Sequence, residues 1–170
     1  NFNLCRMPIG ANDFSRDWYS YNEKDSDFVM SNFTVANDLQ TLIPFIKNAQ
    51  KYNPDLSLWA SPWSPPSWMK YNKHYASAFT GLEVDTLYRN GLPADRVGYE
   101  GTDMFIQDSA HLAAYALYFT KFIESYREQG IEISAVMPQN EFNSAQIFPS
   151  CCWTAASLSD FIGNYLGPAM

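Results

Sequence analysis

The sequence predicts an α/β fold, a portion of a (β/α)8 TIM barrel about three βα units long. Three observations predict it. Strand-like apolar runs alternate with helix-period stretches along the chain. The turn after the first strand, Pro8-Ile9-Gly10-Ala11-Asn12-Asp13, lacks the glycine spacing of a dinucleotide loop, and no GxxxxGK[ST] occurs anywhere. The connections after the strands are long and rich in reactive side chains, as at the catalytic face of such a barrel.

The elements follow in order. A strand fits Phe2 to Met7. A helix fits Leu42 to Tyr52, with Thr41 as its cap, Pro44 in its first turn, and Leu42, Ile43, Ile46 and Ala49 on one face. A second strand is Leu56 to Ser61. The strongest helical pattern runs from Ser109 to Glu128, where Leu112, Tyr115, Ala116, Phe119, Phe122, Ile123 and Tyr126 recur and Gly130 ends the run. A third strand spans Ile133 to Met137. The last helix follows Thr154 and places Leu158, Phe161, Ile162 and Tyr165 together. The chain opens as a strand already under way and stops just past a helix. The expectation is one partial barrel domain, residues 1–170, cut at both ends.

Composition narrows the function. The 170 residues are 46% hydrophobic and carry a net charge of −7, which excludes disorder and argues against nucleic acid or an anionic membrane as partner. No apolar run approaches the ~20 residues of a membrane span, and no charged-then-apolar leader opens the chain, so a soluble domain is expected. Aromatics reach 16%, which suits a sugar-stacking cleft as well as a large core. Cys5, Cys151 and Cys152 form no CxxC, and His74 and His111 lie far apart. Buried free thiols are expected rather than a metal site, with the histidines in a loop and on a helix surface.

Each strand ends in a distinctive cluster, and on parallel strands these clusters converge on one mouth. The third strand ends in Gln139-Asn140-Glu141. There a carboxyl can stand beside a scissile glycosidic bond while the Asn140 amide holds the sugar's 2-hydroxyl. The second runs into Ser61-Pro62-Trp63-Ser64-Pro65-Pro66-Ser67-Trp68-Met69-Lys70, whose prolines stiffen Trp63 and Trp68 as stacking walls or as caps on the layer beneath. After the first strand, Asp13 can accept bonds from two sugar hydroxyls or cap its turn. Arg6, within that strand, is expected to be buried and paired with a carboxylate, either to orient catalytic carboxyls or as a structural bridge.

Together Cys5-Arg6-Met7-Pro8-Ile9-Gly10, Asp13-Phe14-Ser15, Tyr19-Ser20-Tyr21, the tryptophan loop, Gln139-Asn140-Glu141, Phe148-Pro149-Ser150-Cys151 and Asp160-Phe161-Ile162 resemble glycoside hydrolase family 30, the group that contains acid β-glucosidase. The resemblance implies a retaining β-glycosidase without metal or organic cofactor, with a β-linked glycoside or oligo- or polysaccharide as its partner. It implies Glu141 as general acid/base, Asn140 beside it, and Asp13, Phe14, Trp63, Trp68 and Arg6 around the sugar. The family's nucleophile, a glutamate on a later strand, would lie beyond Met170. The resemblance also implies an exo-acting, glucosylceramidase-like enzyme of sphingolipid or carbohydrate metabolism that is secreted, periplasmic or at the cell surface. An endo-β-glucanase, such as a β-1,6-glucanase, and a non-catalytic carbohydrate-binding protein are the alternatives. Phe142 departs from the family's usual proline. The long segment from Tyr71 to Asp108, with Tyr75, Phe79, Leu87, Tyr88, Tyr99, Met104 and Phe105 scattered along it, is expected to shape the leaving-group side.

Overall fold

The computed structural model describes residues 2–81, 85 and 89–170. Strands β1 (Leu4–Pro8), β2 (Ser57–Ser61) and β3 (Ile133–Val136) form one parallel sheet in the order β1-β2-β3. Chain order and sheet order coincide, so all three strands deliver their C-terminal ends to the same edge. Arg6 lies opposite Trp59, and Trp59 opposite Ala135, with the β2–β3 register irregular between Leu58 and Trp59. Because side chains alternate along a strand, Met7, Leu58 and Ala60 turn to the buried face and Arg6, Trp59 and Ala135 to the other.

The first strand begins two residues later than expected and ends one residue further on. Ile9 N donates to Ser61 O at 2.9 Å, so the missing N–H of Pro8 falls on the edge away from β2 and costs no ladder bond. Past the end of β3, Met137 N still donates to Ala60 O at 2.8 Å.

Helix α1 (Leu42–Tyr52) buries Ile43 and Ile46. Thr41 does not cap it with its side chain; the hydroxyl donates backward to Asn37 O at 3.0 Å. Helix α2 (Ser109–Glu128) starts at Asp108, whose carboxylate accepts from His111 N at 2.9 Å. It ends on Gly130, which holds φ +73°. Its buried face is wider than the expected stripe and takes in Ala114 and Tyr118. Helix α3 (Ala155–Phe161) is capped by Thr154 and passes through a π-turn at Ile162–Leu166 into a last turn at Gly167–Ala169. The wider turn shifts the helix phase: Leu166 faces the core, while Ile162 is exposed and Tyr165 half-buried.

Ten of the aromatic side chains are buried in the core among the described residues. Tyr21 stacks on Phe122 at 5.9 Å, and Phe105 on Trp153 at 4.5 Å. Within this layer sits Asp38, fully buried, accepting from Tyr19 Oη at 2.7 Å and from Tyr21 Oη and Tyr126 Oη at 2.5 Å each. It ties the loop after β1 to α2. Cys151 and Cys152 are buried free thiols, and Cys5 is free and half-buried.

Two predictions follow from this core. In the full-length protein, Asp38→Ala strands two buried hydroxyls and a half-buried one and should cost about 3 kcal/mol or more, against about 1 kcal/mol for Tyr19→Phe. Urea unfolding of both variants checks this, and equal small losses would contradict it.

The second prediction concerns alkaline pH. Burial, the largest cause, pushes the Cys151 thiol up to about 12 and raises the hydroxyls of Tyr21, Tyr115 and Tyr118 well above their usual range. In the unfolded chain these groups ionise at about 8.5 and about 10, so above those values the folded state holds more protons and stability falls as pH rises. Lys70 works in the opposite sense, because burial lowers it to about 8. Its contribution makes the start of the decline shallower. Urea midpoints should fall between about pH 9 and 12 and be level just below that window.

Candidate active site

At the shared edge, Arg6 joins the three strands. Its Nη2 donates to Ser61 Oγ at the end of β2 and to Asn140 Oδ1 just past β3, both at 2.6 Å. Its Nε donates to Ser61 Oγ at 3.1 Å. The guanidinium lies 5.0 Å from the Trp59 ring and 4.5 Å from that of Trp63. Arg6 is therefore exposed rather than buried, and among the described residues it pairs with no carboxylate, against the expectation from the sequence. It stands on the sheet face away from the helices, where two indoles and two neutral oxygens stabilise its charge.

Asn140 is buried, and its N donates to Pro62 O at 2.8 Å. With Oδ1 occupied by Arg6, its amide NH2 is left to donate outward. Glu141 follows at φ +44°, a left-handed conformation that costs a non-glycine residue on the order of 1 kcal/mol. Its carbonyl closes a turn with Ser144 N at 2.9 Å, and its exposed carboxylate has no hydrogen bond among the described residues.

Asp13 is exposed too. Its neighbour Asn12 caps the turn instead, accepting from Phe14 N at 3.0 Å and Ser15 Oγ at 2.9 Å, so the Asp13 carboxylate is not consumed locally. Phe14 is 90% exposed. The two tryptophans of the proline loop part company. Trp63 is half-buried beside Arg6. Trp68 is 3% exposed, donates from Nε1 to Asn22 O at 2.9 Å, and packs against Phe28 and His111. Its ring belongs to the layer beneath the loop and offers no face to a sugar. His111, expected on a helix surface, has its ring packed in the same layer, 5.0 Å from Phe28.

Two residues that the sequence reading passed over pin this edge. Gln139 is buried and donates to Trp63 O at 2.7 Å, fastening the tryptophan to the strand that carries Glu141. Lys70, fully buried, donates to Ser150 O at 2.6 Å and Tyr75 O at 2.7 Å. It joins the far end of the tryptophan loop to the loop after Glu141. Lysine is rarely buried, so Lys70 was legible only as the end of the tryptophan loop, and Gln139 only as a strand-end neighbour of Glu141.

The segment after Tyr71 packs on that same loop, where Ser77 N and Ala78 N both donate to Gln146 O, at 3.0 and 2.8 Å. Of its aromatic and apolar residues, Met104 and Phe105 are core, and Phe79 and Tyr99 are exposed. Leu87 and Tyr88 lie outside the described residues.

A parallel sheet whose strand ends gather a bridging arginine, a stiffened tryptophan and an Asn-Glu step has the anatomy of a barrel glycosidase. The model of the glycosyl hydrolase family 30 TIM-barrel domain matches residues 1–90 and 96–170, and the chain belongs to this family. The sheet is thus part of that family's barrel. A Caenorhabditis elegans protein assigned as glucosylceramidase 1 is 38% identical over 100% of the chain and 29% of its own length. The mouse lysosomal acid glucosylceramidase is 33% identical over 99% of the chain and 30% of its own length. An endo-1,6-β-D-glucanase of Neurospora crassa is 30% identical over 100% and 32%. Among solved structures, SrfJ of Salmonella typhimurium matches with TM-score 0.78 and 28% identity, over 99% of this chain and 32% of that one. The chain thus spans about a third of the length of the relatives it matches.

One prediction tests the tryptophan. In the full-length protein, Trp63→Ala should weaken binding of a non-covalent monosaccharide inhibitor by about tenfold, because ring area against the sugar is lost before any chemistry. Titration calorimetry checks this, and unchanged affinity would remove Trp63 from the sugar site.

Proposed function

We propose that the complete protein is a retaining β-glycosidase, and that this chain supplies its general acid/base, Glu141, with part of the pocket for the sugar. The observation that supports this most is the Asn140–Glu141 step. The amide is held by an arginine from two strands away, and the carboxylate beside it is left without a partner among the described residues. Glu141 starts protonated and donates to the departing glycosidic oxygen while a second carboxylate, on a later strand of the complete barrel, attacks the anomeric carbon. It then takes a proton from water, and the sugar leaves with retained configuration. The Asn140 NH2 donates to the 2-hydroxyl, and Asp13 accepts from hydroxyls at the opposite end of the ring. Two carboxyls suffice for this chemistry, so the mechanism requires no metal or organic cofactor.

The first reading of the substrate is a terminal β-glucoside of the glucosylceramide type, hydrolysed outside the cytoplasm. A second reading is an endo-acting β-1,6-glucanase. It is supported by a glucanase relative at 30% identity, against 33% and 38% for two glucosylceramidases.

Glu141→Ala in the full-length enzyme tests the mechanism. Hydrolysis of an alkyl β-glucoside should fall by about a thousandfold, because nothing protonates the leaving oxygen. An activated aryl β-glucoside should still form the covalent intermediate and then stall. Azide, which needs no deprotonation, should restore turnover and yield a β-glucosyl azide. Equal losses on both substrates with no effect of azide would remove Glu141 from this role.

A further inference from the structure

Beside the candidate site runs a groove that the acid/base chemistry leaves unused. Its volume is about 640 Å³. Asp13 borders it, followed by Arg16, Asp17 and Trp18 of the loop after β1, with Thr80 and Phe148 on the facing side. Trp63, Asn140 and Glu141 do not line it. Trp18 and Phe148 are half-buried; Arg16 and Asp17 are exposed and make no hydrogen bond or ion pair to another described residue. Apolar rings for C–H faces, next to charged groups for hydroxyls, are what a pyranose binds.

The facing wall is braced. Asn90 donates to Ala78 O and Ile147 O at 2.8 Å each, tying the segment after β2 to the loop after β3. His74 holds Asn90 in turn. Its Nδ1 accepts from Ala76 N and its Nε2 lies on Asn90 O, both at 3.0 Å. That pairing requires a neutral ring, and burial, the largest cause, lowers the His74 pKa.

We propose that this groove is a subsite for a second sugar unit, β-linked to a hydroxyl of the sugar that Asp13 holds. The leaving group departs on the side of Glu141, which does not border the groove. A unit reached past Asp13 is therefore joined to the glycone and not to the bond being cleaved. This rests on the retaining-glycosidase reading above and, between its two substrates, takes the side of the glucan chain against the terminal glucoside: the preferred glycone is a disaccharide unit of a β-glucan chain. Arg16 and Asp17 take its hydroxyls, and Trp18 and Phe148 take its apolar faces.

The test uses the full-length enzyme with two chromogenic substrates, an aryl β-glucoside and the aryl β-glycoside of gentiobiose, the β-1,6-linked diglucoside. The expected result is a kcat/KM about tenfold or more higher for the gentiobioside, with that ratio falling close to one in the Arg16→Ala/Asp17→Ala double variant. Equal kcat/KM for both substrates in the unmodified enzyme, or a ratio that survives the double substitution, overturns the subsite and leaves the glycosidase reading standing. Cleavage of neither substrate overturns the glycosidase reading, and the subsite with it.

Discussion

The guanidinium of Arg6 ties the ends of all three strands together. It donates to Ser61 and Asn140, and its faces lie against Trp59 and Trp63. A carboxylate partner would have neutralised it. Two neutral acceptors leave its positive charge in place on the face a barrel turns inward. The same contacts set the direction of the Asn140 amide and hold Trp63 against its strand. Orientation at this edge is thus fixed by a fork of donors whose planar geometry a lysine lacks.

Around this edge the chain spends its polar groups on bracing. Asp38 gathers three tyrosine hydroxyls within the aromatic layer, and Lys70 caps carbonyls at the back of the site loops. Both are fully buried, and both join segments far apart in sequence. Bonds of this kind restrict how the loops can lie, because a buried polar group that loses its partner costs more than the bond gained. The left-handed backbone of Glu141 is held within that frame, with Trp153 N donating to Phe142 O at 2.7 Å on its far side.

The segment after β2 touches both ends of the site. It braces the loop that follows Glu141 through Gln146, and it faces Asp13 across the groove. The expectation that it shapes the leaving-group side accounts for the first contact only. On the groove side it adds surface facing Asp13, and it is this surface that the proposed subsite uses.

The sequence by itself determined the βα alternation, the span of α1 and α2 to the residue, and the strand-end position of Asn140-Glu141, because periodicity and strand ends are local properties of the chain. It also carried the family, through motifs read in order. What it misread depended on which face each side chain meets in space. Trp63 and Trp68 stand five residues apart in one proline loop, yet one lies at the mouth and the other in the core. Arg6 read as a buried ion because strand residues are commonly buried, whereas alternation along β1 turned it to the face without helices. The π-turn after α3 rotated Ile162 out of the stripe that regular spacing gave it. Asp38 carried no local mark, and Lys70 and Gln139 were legible only as members of strand-end clusters, not as buried ties. Their roles exist only because parallel register and helix packing bring distant donors and acceptors within 3 Å of each other, and that meeting was decided by the tertiary structure alone.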